Sequence, residues 1–198
     1  KVLENGFIQV HENNRITIDE DVLIPRASRY IMMHKPLGAI SSNADGKYRS
    51  LFHYVDVERA FDLHIVGRLD VDTTGLVLLT DDGSWTHNII MPKKQCQKVY
   101  RVGLRDPIAD DVASRFEKGL QLQGETSLTL PALLEVISPK DVLLTITEGR
   151  YHQVKRMFRA VGNRVVTLHR QKIGDIDLDI ELGQWRHLST DEVAYFRD

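Results

Sequence analysis

Residues 67–83 read GRLDVDTTGLVLLTDDG, and this stretch decides how the rest of the sequence is interpreted. Asp70 and Asp72 lie in a loop between two apolar runs, LHIV (63–66) and LVLLT (76–80). Both runs have the length and composition of buried β-strands. The loop therefore carries two carboxylates between two strands, where they cap a turn, bind a metal ion or take part in chemistry.

The loop also has the partial pattern of a calcium-binding loop. Five residues occupy positions 1, 3, 5, 6 and 12 of such a loop: Asp70, Asp72, Thr74, Gly75 and Asp81. Position 12 is ordinarily Glu, and helices flank a calcium loop where this sequence has β-type runs, so calcium binding is the minor interpretation. Turn capping is favoured for Asp72. Asp70 follows the hydrophobic Leu69 and is the better candidate for a working carboxylate, provided that a cation lies beside it.

Length and composition describe a globular chain. The 198 residues are 42% hydrophobic, enough for one domain with a real core, or for one such domain with an appendage. Cys96 is the single cysteine, which excludes an intrachain disulfide, and no apolar run has the length of a membrane span. We therefore expect a soluble cytoplasmic protein without a membrane partner.

The charge is unevenly distributed along the chain. The whole sequence has a net charge of -2, but residues 91–172 hold 15 Lys and Arg against 8 Asp and Glu, a net charge of +7. Residues 1–90 carry -4 and residues 173–198 carry -5. A basic middle segment is typical of local polyanion binding, although a solvated basic surface explains the charge equally well.

Apolar periodicity predicts more strands than helices. Strands are predicted at RYIMMHK (29–35), LHIV, LVLLT, QKVYRVGL (97–104), LLEVI (133–137), VLLTITE (142–148) and RVVTLHRQKIG (164–174). Helices are predicted at SWTHNIIM (84–91), DDVASRFEKGL (110–120), HQVKRMFRAVG (152–162) and STDEVAYF (189–196), the last with a capping box from Ser189 to Glu192. Because strands and helices do not alternate regularly, the pattern favours an α+β domain with a mixed, largely antiparallel sheet.

Two basic segments are candidates for RNA binding. In EGRYHQVKRMFR (148–159) the apolar positions of the helix point inward, which leaves Lys155, Arg156 and Arg159 elsewhere on its surface. In PKKQCQKVYRV (92–102) basic residues flank Tyr100, an arrangement that can stack a base and hold its backbone. No glycine-rich phosphate loop, metal-ligand spacing or cofactor motif occurs in the sequence, so we expect no cofactor and no metal.

Five motifs, in order along the chain, resemble the pseudouridine synthases that modify ribosomal RNA. They are HKPLG (34–38), GRLDVDTTGLVLLTDDG (67–83), KVYRV (98–102), EGRYHQVKRMF (148–158) and VVTLHRQKIG (165–174). The resemblance covers residues 29–198. It implies the mixed, largely antiparallel sheet of that fold, with flanking helices and a central RNA-binding cleft, and an isomerisation of uridine that needs no cofactor.

The resemblance also implies roles for individual residues. Asp70 matches the essential catalytic Asp of the GRLD motif, and Tyr100 matches the Tyr that stacks on the target uracil. Lys155 stands where many relatives have an Arg that pairs with this Asp, so that a bidentate fork becomes a point charge. Leu168 matches a Leu that packs under the site. The remaining residues are expected to bind RNA phosphates or to position loops: Arg68, Lys98, Arg150, Arg156 and Arg170.

The branch that the motifs resemble most acts on the small ribosomal subunit. This implies 16S rRNA as the partner, in a partly assembled subunit, and uridine 516 as the target. Large-subunit (23S) enzymes and a non-catalytic RNA-binding or ribosome-assembly module are the alternatives. Relatives carry an N-terminal module of the ribosomal S4 type, so we expect residues 1–28 to be its trailing part plus a linker, and the natural protein to be longer. We expect a monomer.

Overall fold

The computed structural model describes residues 15–19, 21–23 and 26–197. Within the N-terminal stretch, strands β1 (Ile16–Ile18) and β2 (Asp21–Leu23) pair as an antiparallel hairpin. The predicted S4-like appendage of residues 1–28 otherwise lies largely outside the described residues, and its assignment stays a prediction.

One sheet organises the rest of the chain. Its nine strands are β3 (Tyr30–Lys35), β4 (His64–Val66), β5 (Thr74–Thr80), β6 (Lys98–Leu104), β7 (Leu133–Ser138), β8 (Asp141–Ile146), β9 (Val165–Ile173), β10 (Ile176–Asp177) and β11 (Trp185–His187). The strand order is β11-β3-β5-β9-β6-β8-β7, with β4 beside β5 and β10 beside β9. The β5–β9 pair is parallel and the other pairs of this sheet are antiparallel, which confirms the predicted α+β class.

Four α-helices flank the sheet, as the sequence predicts: α1 (Gly83–Ile90), α2 (Val112–Lys118), α3 (Gln153–Ala160) and α4 (Thr190–Ala194). Helix α1 begins one residue before the predicted Ser84, because the Asp82 carboxylate caps it by accepting a bond from the Trp85 amide at 2.9 Å. The capping box from Ser189 to Glu192 is present at α4. None of the helices in the described ranges is long and apolar enough to cross a lipid bilayer.

The alternation of side chains along the central strands builds a core on each face of the sheet. Ile31 and Met33 lie in one apolar cluster, while Met32 between them lies in the other. The first cluster receives the inward face of α3 and the second receives α1. Leu69 of the 67–73 loop belongs to the first cluster, so this loop lies on the side of the sheet that α3 covers.

The 67–73 loop leaves the sheet where two strands share one edge of β5. Strand β4 pairs with the far end of β5, residues 78–80, and β9 pairs with its beginning, residues 74–75. Gly75 has φ +116°, and a side chain there would overlap the backbone carbonyl of Arg170 on β9. The glycine therefore permits the close approach of β5 and β9 directly after the loop.

Candidate active site

Asp70 and Lys155 form an ion pair, although 85 positions separate them along the chain. Lys155 Nζ, on α3, donates to Asp70 Oδ2 at 2.7 Å. The side chains are 30% and 25% exposed, so the pair is fixed by the protein but open to a ligand. Burial lowers the pKa of Lys155, but hydrogen bonds to Asp70 and Asp72 outweigh it and hold that pKa above its ordinary value.

Asp72 is the second partner of the same ammonium. Lys155 Nζ donates to Asp72 Oδ1 at 2.6 Å. Burial alone raises the pKa of Asp72, but this hydrogen bond and the positive charge bring it below its ordinary value. The interpretation of Asp72 as a simple turn cap is therefore wrong, because its carboxylate helps to hold Lys155.

A second ammonium lies beneath the loop. Lys35, at the end of β3, is fully buried, and its Nζ donates to the carbonyl oxygens of Thr73 (2.8 Å) and Pro36 (3.0 Å). Burial lowers its pKa to about 8, although the negative charges of Asp70 and Asp72 oppose the shift. Lys35 thus joins strand β3 to the end of the 67–73 loop.

Arg170 connects the loop to Tyr100. Its guanidinium donates to the carbonyls of Leu76 (2.8 Å) and Gly67 (2.6 Å) and to the Tyr100 hydroxyl (3.3 Å). Arg170 is 1% exposed, so it is placed to position the loop rather than to meet a phosphate. Tyr100 and Leu168 lie in the same apolar cluster as Leu69, and each is less than 10% exposed.

The other residues predicted to bind RNA are not brought to Asp70 by contacts of their own. Arg150 donates to Glu148 (3.0 Å) and to two carbonyls of the 121–130 loop, and Arg156 donates to Glu125 (2.7 Å) and the Gln123 carbonyl (2.8 Å).

Lys98 is buried as well, and its Nζ donates to the Cys96 carbonyl at 3.0 Å. Arg68 alone of this set is exposed. A phosphate would have to compete with protein acceptors at Arg150, Arg156 and Lys98, so their RNA-binding role stays a prediction.

Sequence reasoning missed two residues beside the site. His152 Nε2 lies 3.4 Å from Asp70 Oδ1, and its left-handed backbone (φ +48°) at the start of α3 leaves no signal in the sequence. Lys35 stands inside the quoted HKPLG motif, but only the register of β3 against β5 shows that it is buried beneath the loop.

The calcium interpretation of the loop is wrong. Residues 74–80 form the extended strand β5 between the proposed ligands Asp70 and Asp81, which places them about 20 Å apart at roughly 3.3 Å per residue. Asp81 instead accepts a bond from Arg29 Nε at 2.8 Å. Across residues 15–19, 21–23 and 26–197, no three His, Cys, Asp or Glu side chains are grouped to hold a metal.

The predicted RNA-binding cleft is not tested by the cavities of the structure. One cavity of about 450 Å³ lies between α1 and the C-terminal residues, and another of about 460 Å³ lies between α2 and β7. Neither is lined by Asp70, Tyr100 or Lys155. The ion pair itself offers a partly exposed carboxylate, with Lys155 Nζ at one oxygen and His152 Nε2 3.4 Å from the other.

A family model for RNA pseudouridylate synthases matches residues 29–160. The chain is 50% identical to the ribosomal small subunit pseudouridine synthase A of Vibrio cholerae over 98% of its own length and 84% of the relative. It is 48% identical to the protein of that name in Escherichia coli, over 98% and 85% of the two chains.

A solved structure described as a pseudouridylate synthase superposes with a TM-score of 0.83 at 45% identity, over 99% of this chain and 86% of the other. These matches cover the loop, the ion pair and α3 together. The chain belongs to the RNA pseudouridylate synthase family.

Proposed function

We propose that this enzyme converts a uridine of small-subunit ribosomal RNA, 16S rRNA, into pseudouridine, with Asp70 as the catalytic residue. The single observation that carries the proposal is the half-exposed Asp70 carboxylate held at 2.7 Å by Lys155 in the family's motif order. The names of the relatives, at 48–50% identity over nearly the full chain, support the small subunit as the source of the RNA.

The reaction is a balanced isomerisation. The bond between uracil N1 and ribose C1′ breaks, the base turns, a bond from C1′ to C5 forms, and the C5 proton is lost while N1 gains one. Asp70 serves the first step by attacking C1′, by stabilising positive charge at that carbon, or by removing a sugar proton. Lys155 opposes the negative charge of Asp70 throughout, and its raised pKa keeps it an ammonium at neutral pH.

The target nucleotide must leave its stack to reach this carboxylate. Extrusion of a base costs about a few kcal/mol, which contacts from the protein have to offset. Tyr100 is the aromatic residue that resemblance assigns to the extruded uracil, and its hydroxyl is already fixed by Arg170. Exposed cations near the loop, Arg68 and Arg159, are available to phosphates.

We further propose that residues 29–198 form the catalytic domain and that residues 1–28 are the trailing part of an S4-like module with its linker. The match of the family model from residue 29 supports this boundary. The protein is expected to act as a cytoplasmic monomer on a partly assembled small subunit.

The test is incubation of the protein with 16S rRNA, free and in partly assembled small subunits, and with 23S rRNA, followed by mapping of pseudouridine. The expected result is one modified uridine in 16S rRNA, with the assembly state deciding its yield. The matched control is Asp70→Asn, which should lose at least about 1,000-fold in turnover while RNA affinity changes less than threefold.

Three results would contradict parts of the proposal. Modification of 23S rRNA alone would move the enzyme to the large subunit. RNA binding without pseudouridine in any arm would leave a non-catalytic module. Wild-type turnover by Asp70→Asn would remove Asp70 from the chemistry.

A further inference from the structure

Two aromatic rings stand stacked beside the catalytic carboxylate. The rings of Tyr151 and His152 have centroids 3.8 Å apart and planes 21° apart, a stacked geometry. His152 Nε2 lies 3.4 Å from Asp70 Oδ1. We call this pair of stacked rings, Tyr151 and His152, the aromatic ledge.

The outer ring of the aromatic ledge is turned to solvent. Tyr151 is 77% exposed, the highest value among the large apolar residues of the described chain. Exposed aromatic residues are common on protein surfaces and need no explanation when they are scattered. This one is different, because its ring stacks on His152, whose Nε2 lies 3.4 Å from Asp70 Oδ1.

The backbone beneath the aromatic ledge is fixed. Arg156 Nη1 donates to the Tyr151 carbonyl at 3.1 Å and to Glu125 at 2.7 Å, and Arg156 Nη2 donates to the Gln123 carbonyl at 2.8 Å. The left-handed conformation of His152 (φ +48°) turns the chain directly into α3. A ring held in place before a ligand arrives loses less conformational freedom on binding.

The surroundings of the aromatic ledge suit a nucleic acid. From residue 149 to residue 163 the chain has four cations, Arg150, Lys155, Arg156 and Arg159, and no acidic residue. Three of these cations pair with carboxylates: Arg150 with Glu148, Lys155 with Asp70 and Asp72, and Arg156 with Glu125. Arg159 is exposed and can attract a phosphate, while an exposed aromatic face accepts a base of any sequence by stacking.

From this arrangement, and resting on the proposed function, we propose that Tyr151 stacks on a nucleobase that directly neighbours the extruded uridine. When one nucleotide leaves the stack, its neighbours lose a stacking partner. The outer face of Tyr151 replaces that partner, and His152 supports the ring from behind. Tyr151 thus favours RNA in which a base, rather than an abasic nucleotide, flanks the target uridine.

The experiment is a double-mutant cycle on binding. The protein variants are Tyr151→Ala and Tyr151→Phe, made in the Asp70→Asn background so that the target uridine stays unconverted. The RNA is a fragment of 16S rRNA centred on the uridine that mapping identifies, intact or with an abasic nucleotide on its 5′ or 3′ side. The control is Tyr195→Ala, at a tyrosine that is 50% exposed and lies on the opposite side of the sheet at the end of α4.

Tyr151→Ala should raise Kd for the intact fragment about 10-fold, the usual effect of losing one stacked base, and Tyr151→Phe should restore it. With the abasic nucleotide at one of the two flanks, Tyr151→Ala should have no further effect. Tyr195→Ala should match the parent protein on each RNA.

Two results overturn the inference: equal losses from Tyr151→Ala on intact and both abasic RNAs, or no loss on the intact RNA. Its failure differs from failure of the proposed function. If the wild-type protein forms pseudouridine while the cycle is additive, only the aromatic ledge is refuted; if no uridine is modified, the proposed function falls and the inference with it.

Discussion

Lys155 and Lys35 both contact the 67–73 loop, and the charges of Asp70 and Asp72 affect the pKa of each. The Lys155 side chain is 25% exposed and donates directly to Asp70 and Asp72. Lys35 is fully buried and donates to backbone carbonyls. The pKa of Lys155 is raised and that of Lys35 is lowered to about 8.

Two differences act together on the pKa: Lys35 is fully buried and bonded only to carbonyls, whereas Lys155 is partly exposed and hydrogen-bonded to both carboxylates. Both ammoniums feel the charges of Asp70 and Asp72, and burial opposes the charged form in both. Only Lys155 exchanges its water for carboxylate oxygens, at 2.6 and 2.7 Å. Lys155 is therefore suited to stabilise the negative charge of Asp70, and Lys35 to hold the 67–73 loop in place.

The largest expected effect is that of replacing Lys155, the partly exposed lysine that pairs with Asp70 and Asp72. Lys155→Ala should lower kcat about 100-fold, because the developing charges at Asp70 lose their fixed partner. The free energy of unfolding should fall by about 1 kcal/mol or less, since both side chains are partly exposed. Single-turnover kinetics and urea denaturation measure the two quantities on the same preparation.

Lys155→Arg is the matched variant for this prediction. It restores a cation that relatives use at this position, so kcat should return to within about 10-fold of the parent value. Parallel losses of kcat and stability in Lys155→Ala would instead make Lys155 a structural residue, equivalent to Lys35.

The role of the buried Lys35 is tested through the pH dependence of the free energy of unfolding. The pKa of Lys35 is about 8 in the folded protein against 10.5 in the unfolded chain, so the unfolded chain binds more protons between these values. The contribution of Lys35 to the free energy of unfolding should therefore rise by about 2 kcal/mol from pH 8 to pH 10. The measurement is the difference between wild-type and Lys35→Met in urea denaturation at both pH values.

Lys118→Met, which removes an exposed lysine of α2, is the control and should parallel the wild type. A wild-type curve that also parallels Lys35→Met between pH 8 and pH 10 would show that the buried ammonium titrates normally. The contrast between the two lysines would then be lost.

The smallest expected effect is that of replacing Asp72, which separates its role from that of Asp70. Asp72→Asn removes one partner of Lys155 and leaves Asp70, so kcat should change less than about threefold, as expected for a single half-exposed ion pair. KM for RNA should not rise, because a negative charge facing phosphate is removed. A loss of kcat as large as that of Lys155→Ala would give Asp72 a share in the chemistry.

Much of the fold was predictable from local patterns. Apolar runs and alternating apolar residues located β3, β5, β6, β8 and β9, and Ser189 with Glu192 marked the start of α4. Motif order identified Asp70 and Lys155, which the structure brings into contact. The 100°-per-residue spacing of Val154, Met157 and Phe158 correctly oriented α3, since all three are buried.

Other parts of the site could not be predicted, because they depend on contacts between distant segments. The sequence left phosphate binding and loop positioning both open for Arg170, because it does not show that this guanidinium donates to Leu76, Gly67 and Tyr100. Asp72 looked like a turn residue because nothing in the sequence shows that Lys155 lies between it and Asp70.

By itself, the sequence determined most of the strands and helices and the candidate side chains for chemistry, since periodicity and motif order are local properties. Only the tertiary structure decided which cations face a carboxylate, which face a carbonyl and which face water. The physical reason is that a charge acquires its strength and pKa from burial and from partners within a few ångströms. Those partners come from β3, the 67–73 loop and α3, which are far apart in sequence.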